Sequence, residues 1–113
     1  LTTDTSALTA IGNDYGFDYI FERQVEALAK KGDVLIGIST SGNSINVCKA
    51  LQLGNEIGCV TLSLTGNSGG EALKLSQFNL NVNHSVTARI QEIHILIGHL
   101  ICTIIDEVNL LKN

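Results

Sequence analysis

Gly32–Ser44 reads GDVLIGISTSGNS: a glycine and an aspartate, a short apolar run, then a loop dense in hydroxyls. The run Val34–Ile38 (VLIGI) is short and nearly continuous, which suits a parallel strand covered on both faces. The loop Ser39-Thr40-Ser41-Gly42-Asn43-Ser44 places four hydroxyl side chains within six residues, directly before a helical pattern. A strand, a Gly/Ser loop and a helix in that order predict a β-loop-α unit. Its loop lies at the carboxyl end of the strand, where open α/β sheets bind their ligands.

Outward from this stretch the periodicity keeps switching. Upstream, Phe17–Lys31 (FDYIFERQVEALAKK) predicts an amphipathic helix, with Ile20, Phe21, Val25 and Leu28 at helical spacing and Lys30-Lys31-Gly32 as its stop. Leu1–Tyr15, rich in Thr, Asp and Asn, predicts a strand end or loop feeding that helix. Downstream, a helix over about Ser44–Ile57 is stopped by Gly58. Cys59–Leu64 (CVTLSL) predicts a second strand, ending in another Gly/Ser loop, Thr65–Gly70 (TGNSGG). Glu71–Ser76 predicts a short helix, Phe78–Val82 a third strand, and Thr87–Leu111 one long helix. The repeat of strand, loop and helix predicts an α/β fold: a three-layer α-β-α sandwich on a parallel sheet, of the flavodoxin or Rossmann kind. Three strands make a thin sheet, so further strands are expected N-terminal to Leu1. Residues 1–113 then read as the C-terminal portion of a single domain truncated at its N-terminus, and the absence of methionine agrees.

Composition sets limits on function. Hydrophobic residues are 44% and charged ones 16%, enough to bury a core. A net charge of −4 argues against nucleic acid and gives no support to an anionic membrane surface. Cys48, Cys59 and Cys102 show neither a C-x-x-C pair nor an even count, which predicts reduced cytoplasmic thiols. The apolar run Ile90–Val108 is interrupted by Gln91, Glu92, His94, His99 and Asp106, a pattern that fits a buried helix better than a membrane span.

Two regions carry chemistry. Hydroxyls and free backbone N–H groups at a helix N-terminus suit a phosphate, and Gly42 allows close backbone approach; the plain alternative for the serine loop is an N-capping turn. No lysine follows in a Walker pattern, which disfavours a nucleoside triphosphate. Thr65–Gly70 is a weaker ligand candidate. Asn13-Asp14 could bond sugar hydroxyls or simply serve a turn. On the last helix, Gln91 and His94 are surface neighbours at i and i+3. Gln91 and His99 lie ~12 Å apart along the axis, so a metal ion common to both is easier to arrange across a subunit interface.

Several of these stretches together resemble one family. They are Gly12-Asn13-Asp14-Tyr15-Gly16-Phe17, Gly32–Ser44, Leu64-Thr65-Gly66, and Arg89-Ile90-Gln91-Glu92-Ile93-His94 with His99. The chain resembles the SIS (sugar isomerase) domain family, and within it the bacterial phosphoheptose isomerases, over nearly its whole length. The serine loop alone marks the wider family; its combination with G-N-D and R-I-Q-E-x-H is more specific.

The resemblance implies an aldose–ketose isomerase that converts sedoheptulose 7-phosphate to D-glycero-D-manno-heptose 7-phosphate, an early step toward the heptose of lipopolysaccharide. It implies substrate contacts at Asn13, Asp14, Ser39, Thr40, Ser41, Ser44 and Gln91, zinc ligands at Gln91 and His99, and His99 as the catalytic histidine. It further implies a cytoplasmic homotetramer with active sites between subunits. The family's glutamate partner for that histidine, another histidine ligand and an N-G-G-S loop fall upstream of Leu1, so the chain by itself is expected to be inactive. Alternatives within the resemblance are a regulatory protein that associates with a replication initiator, a sugar-phosphate-sensing module of a regulator, and an isomerase or etherase for amino-sugar phosphates.

Overall fold

The computed structural model describes residues 1–111. Its three strands, β1 (Val34–Ser39), β2 (Val60–Gly66) and β3 (Phe78–Val82), form one parallel sheet in the order β1-β2-β3. Five α-helices accompany it: α1 (Thr5–Asp14), α2 (Glu22–Leu28), α3 (Ile45–Ile57), α4 (Gly70–Leu75) and α5 (Thr87–Leu110). The α/β class and the parallel sheet flanked by helices are as the sequence predicts.

One face of the sheet meets α3 and α4. Glycines let α3 come close: a Cβ on Gly37 would stand 3.0 Å from Val47 and Leu51, and one on Gly54 would stand 2.6 Å from Leu35. This face is unusually polar, since Thr61, Ser63 and Thr65 of β2 are fully buried. Each is satisfied, as burial requires. Thr61 Oγ1 donates to Asn55 Oδ1 at 2.7 Å and accepts from Gln77 N–H at 3.0 Å. Thr65 Oγ1 donates to Asn81 Oδ1 at 2.9 Å and accepts from Asn79 Nδ2 at 2.9 Å.

The opposite face is apolar. The register aligns Ile36, Leu62 and Phe78, and then Ile38, Leu64 and Leu80, across the three strands. Only the end of the central strand is covered, by the start of α5: Leu64 is 1% exposed, whereas its neighbour Ile38 on β1 is 57% and Phe78 on β3 61% exposed. Two expectations are corrected here. β1 is covered on one face within this chain, not on both. Of α5, only Ile90 and His94 are buried, so the helix is not the buried element its composition suggests. By length and composition alone α5 is long and apolar enough to cross a membrane, but its first turns are docked on β2.

The N-terminal third also departs from expectation. Thr5–Asp14 is a helix, not a loop, because Asp4 caps it: the Ala7 N–H donates to Asp4 Oδ1 at 3.0 Å. The helix expected over Phe17–Lys31 splits into a 3-10 turn at Phe17–Tyr19 and the shorter α2, with Ala29 already extended. Helix α3 starts and stops where the pattern places it, with Gly58 in the left-handed conformation (φ 94°) as its C-cap.

Candidate phosphate-binding groove

The serine loop leaves the carboxyl end of β1 and opens α3. Ser39, 5% exposed, is its hub. Its Oγ lies 2.8 Å from Ser44 Oγ and 3.4 Å from Ser41 Oγ, and accepts the Gly42 N–H at 3.1 Å. Ser41 Oγ accepts the Asn43 N–H at 3.1 Å. The capping-turn alternative does not describe this geometry. Ser44 occupies the N-cap position of α3, yet its own side chain caps no helix N–H; in the first turn the Val47 N–H donates to Asn46 Oδ1 at 2.8 Å. The Ser44 hydroxyl is turned toward Ser39, so hydroxyls gather in front of the N-terminus of α3. Together with the positive end of the helix dipole, that arrangement suits an anion.

The second Gly/Ser loop braces the first. Gly42 (φ 69°) packs on Gly69. The Ala72 N–H donates to the Gly42 carbonyl at 2.8 Å, and the Glu71 N–H to Asn43 Oδ1 at 3.0 Å. Donors at the start of α4 are thus directed into the serine loop. Asn67, in the left-handed region at φ 52°, donates from Nδ2 to the Thr40 carbonyl at 3.1 Å. Asn43 and Asn67 are positioning residues whose composition gave no sign beyond turn chemistry.

Helix α5 supplies the facing wall. An open groove of about 550 Å³ is lined by Ser39, Thr40 and Ser44 on one side and Gln91, His94 and Ile95 on the other. Its lining carries no lysine or arginine, so an anion would be held by hydroxyls, amides and the helix end. His94 is buried and its Nε2 lies 3.0 Å from the Thr65 carbonyl. Ile90 and His94, at i and i+4, form the docking stripe of α5.

The structure brings together Ser39, Thr40, Ser44 and Gln91, with Ser41 in the same loop. It does not bring in the others. Asn13 and Asp14 are exposed at the end of α1, where Asn13 Nδ2 donates to Asp14 Oδ1 at 2.7 Å. His99 is exposed on α5, more than two turns beyond Gln91. For zinc, the residues present do not make a site: among the described residues no group of three His, Cys, Asp or Glu could hold a metal ion. Glu92, next to Gln91, is paired with Arg89 at 2.7 Å.

A family model described as SIS domain matches residues 1–66, which span α1 through β2 and include the serine loop. The chain belongs to the SIS domain family. Among relatives of this SIS chain, a phosphoheptose isomerase of Aliarcobacter butzleri is 64% identical over 106 residues, covering 94% of this chain and 56% of the relative. One from Helicobacter hepaticus is 58% identical, covering 94% and 54%. Solved structures agree. The phosphoheptose isomerase of Neisseria gonorrhoeae superposes with a TM-score of 0.88 at 55% identity, covering 91% of this chain and 59% of that one. The enzyme of Francisella tularensis gives 0.90 at 40% identity, covering 94% and 57%. The chain therefore spans a little over half the length of the relatives it matches. These relatives carry the isomerase name and lend no support to the replication-initiator alternative.

Proposed function

We propose that the protein to which this SIS chain belongs is a phosphoheptose isomerase, interconverting sedoheptulose 7-phosphate and D-glycero-D-manno-heptose 7-phosphate. The observation that carries this reading is the groove in which Ser39, Thr40 and Ser44 face Gln91 before the N-terminus of α3, in a chain so similar to proteins of that name. The serine loop holds the phosphate, and that remote binding energy positions the reacting end of the sugar. Isomerisation moves a proton from C1 to C2 of the ketose and another from O1 to O2, through an enediol, and needs a positioned base and acid.

His99 is the proposed proton carrier. Its exposure and its separation from the serine groove favour a site completed outside this chain, by upstream residues or another subunit. Asn13 and Asp14 are proposed to contact the sugar there as well. Gln91 and His99 are the chain's proposed contributions to a zinc shell in the assembled protein. The exposed apolar residues of α5, among them Leu96, Leu100 and Ile104, support a homotetramer, and the thiols support a cytoplasmic setting.

The test is turnover of sedoheptulose 7-phosphate by the full-length protein. Replacing His99 by Ala is expected to lower kcat by about a hundredfold or more while circular dichroism is unchanged. Unaltered turnover would remove His99 from the mechanism, and no turnover by the unaltered full-length protein would reject the isomerase reading.

A further inference from the structure

His94 stands in the groove with no role in the reading above. Its Nε2 lies 3.0 Å from the Thr65 carbonyl oxygen, which can only accept, so Nε2 carries the proton. The acceptor of the neutral ring is then Nδ1. That atom is buried, and it has no hydrogen-bond partner among the described residues. The whole residue is 4% exposed, yet it lines the groove beside Ser39, Thr40 and Ser44. A leucine or isoleucine at this position of the docking stripe would not bury an unsatisfied acceptor, which native structures generally avoid.

We propose that His94 is a ligand-binding residue of this groove, taking a hydroxyl group of the bound sugar phosphate on Nδ1. The bond to Thr65 fixes the tautomer before the ligand arrives; because Nδ1 is closed to solvent, the groove wall must yield locally for the hydroxyl to reach it. The ligand group recognised is an O–H donor. A phosphate dianion offers only acceptors, so the serine loop and His94 divide the ligand between its anionic and its hydroxylated ends. This inference rests on the sugar-phosphate reading of the groove.

The imidazole gives a test that separates binding from bracing, because glutamine places an N–H near the Nε2 position but offers nothing at Nδ1. In the full-length protein, His94→Gln is expected to keep the Thr65 bond and the unfolding midpoint. It is expected to weaken sedoheptulose 7-phosphate about five- to tenfold in calorimetric titration, with inorganic phosphate unaffected. Equal affinity of both proteins for the sugar phosphate would overturn the proposal, leaving His94 as a brace. An equal loss for inorganic phosphate would overturn it too, since the contact would then not be a sugar hydroxyl. Should the variant fail to fold, the unaltered protein decides. Its His94 Nδ1 ¹⁵N resonance is expected to shift with sedoheptulose 7-phosphate and not with phosphate, and an unmoved resonance refutes the contact. Failure of the unaltered protein to bind the sugar phosphate at all would instead reject the functional reading beneath it.

Discussion

A Cβ on Gly42 would stand 2.0 Å from the carbonyl oxygen of Gly69, so the two Gly/Ser loops are fitted backbone to backbone. Gly42 also has φ 69°, a conformation that costs an L-residue ~1–2 kcal/mol even in open space. Gly42→Ala therefore combines strain with a clash that no flexible side chain can relieve. The expected result is a loss of at least about 2 kcal/mol in chemical denaturation, with sugar-phosphate binding lost through displacement of the Ser39–Ser44 hydroxyls. An unchanged denaturation midpoint would mean that the loops separate more easily than their packing indicates.

Ser39 and Ser44 are joined hydroxyl to hydroxyl at 2.8 Å, and neither caps α3 with its side chain. Removing the Ser44 hydroxyl costs the protein this one hydrogen bond, about 1 kcal/mol, whereas removing the Ser39 hydroxyl also costs the bond from the Gly42 N–H and the longer contact with Ser41. The double variant should cost less than the sum, because the shared bond is lost only once. For the ligand the consequence is larger, since hydrogen bonds to a charged phosphate are stronger than neutral ones. Ser39→Ala and Ser44→Ala are each expected to weaken inorganic phosphate about tenfold or more. Phosphate titrations that do not distinguish these variants from the unaltered protein would return the loop to a purely structural role.

Much of this arrangement was legible in the residues themselves. The apolar run of β1, the Ser/Gly loop and Gly58 as the stop of α3 follow from period and turn chemistry, which act locally. Residues that depend on tertiary contact were not legible in the same way. His94 looks like any polar interruption of an apolar helix until the Thr65 carbonyl is placed 3.0 Å from its ring. Cys59–Leu64 reads in sequence as a strand, but the polar core of Thr61, Ser63 and Thr65 does not follow from it; that core depends on Asn55, Asn79 and Asn81 arriving from other elements. Helix α1 is not legible in the same way, because Thr and Asp lower helix propensity, while the Asp4 cap that offsets this is a single hydrogen bond.

Asn67 separates backbone from side-chain effects. Its φ of 52° favours Asn or Gly, and its Nδ2 holds the Thr40 carbonyl at 3.1 Å. Asn67→Gly keeps the conformation and removes the bond, whereas Asn67→Ala removes the bond and adds strain. Alanine is expected to destabilise more than glycine by about 1 kcal/mol, measured by denaturant unfolding. Both variants should weaken sugar-phosphate binding, because Thr40 lines the groove. If both bind it as tightly as the unaltered protein, the latch between Asn67 and Thr40 has no part in shaping the site.

The thiols give a pH-dependent readout of the same loop. Burial, and secondarily the Glu71 carboxylate, push the Cys48 thiol above its ordinary value of 9.0. Its S–H faces the Gly42 carbonyl at 3.7 Å, a contact that requires the proton. Because the folded value is raised, the fold favours the protonated thiol. Its stabilising contribution is complete below the ordinary thiol range and is lost as pH rises through the raised value. Alkylation by iodoacetamide at pH 8, followed by mass spectrometry, should therefore modify exposed Cys102 first, half-buried Cys48 slowly and buried Cys59 last. Raising the pH above the ordinary thiol range should accelerate Cys48, and its modification should remove the thiol's contact with the Gly42 carbonyl, crowd the loop and cost phosphate affinity. Rapid labelling of Cys48 at pH 8 with phosphate binding intact would contradict both the raised value and the link between that thiol and the loop.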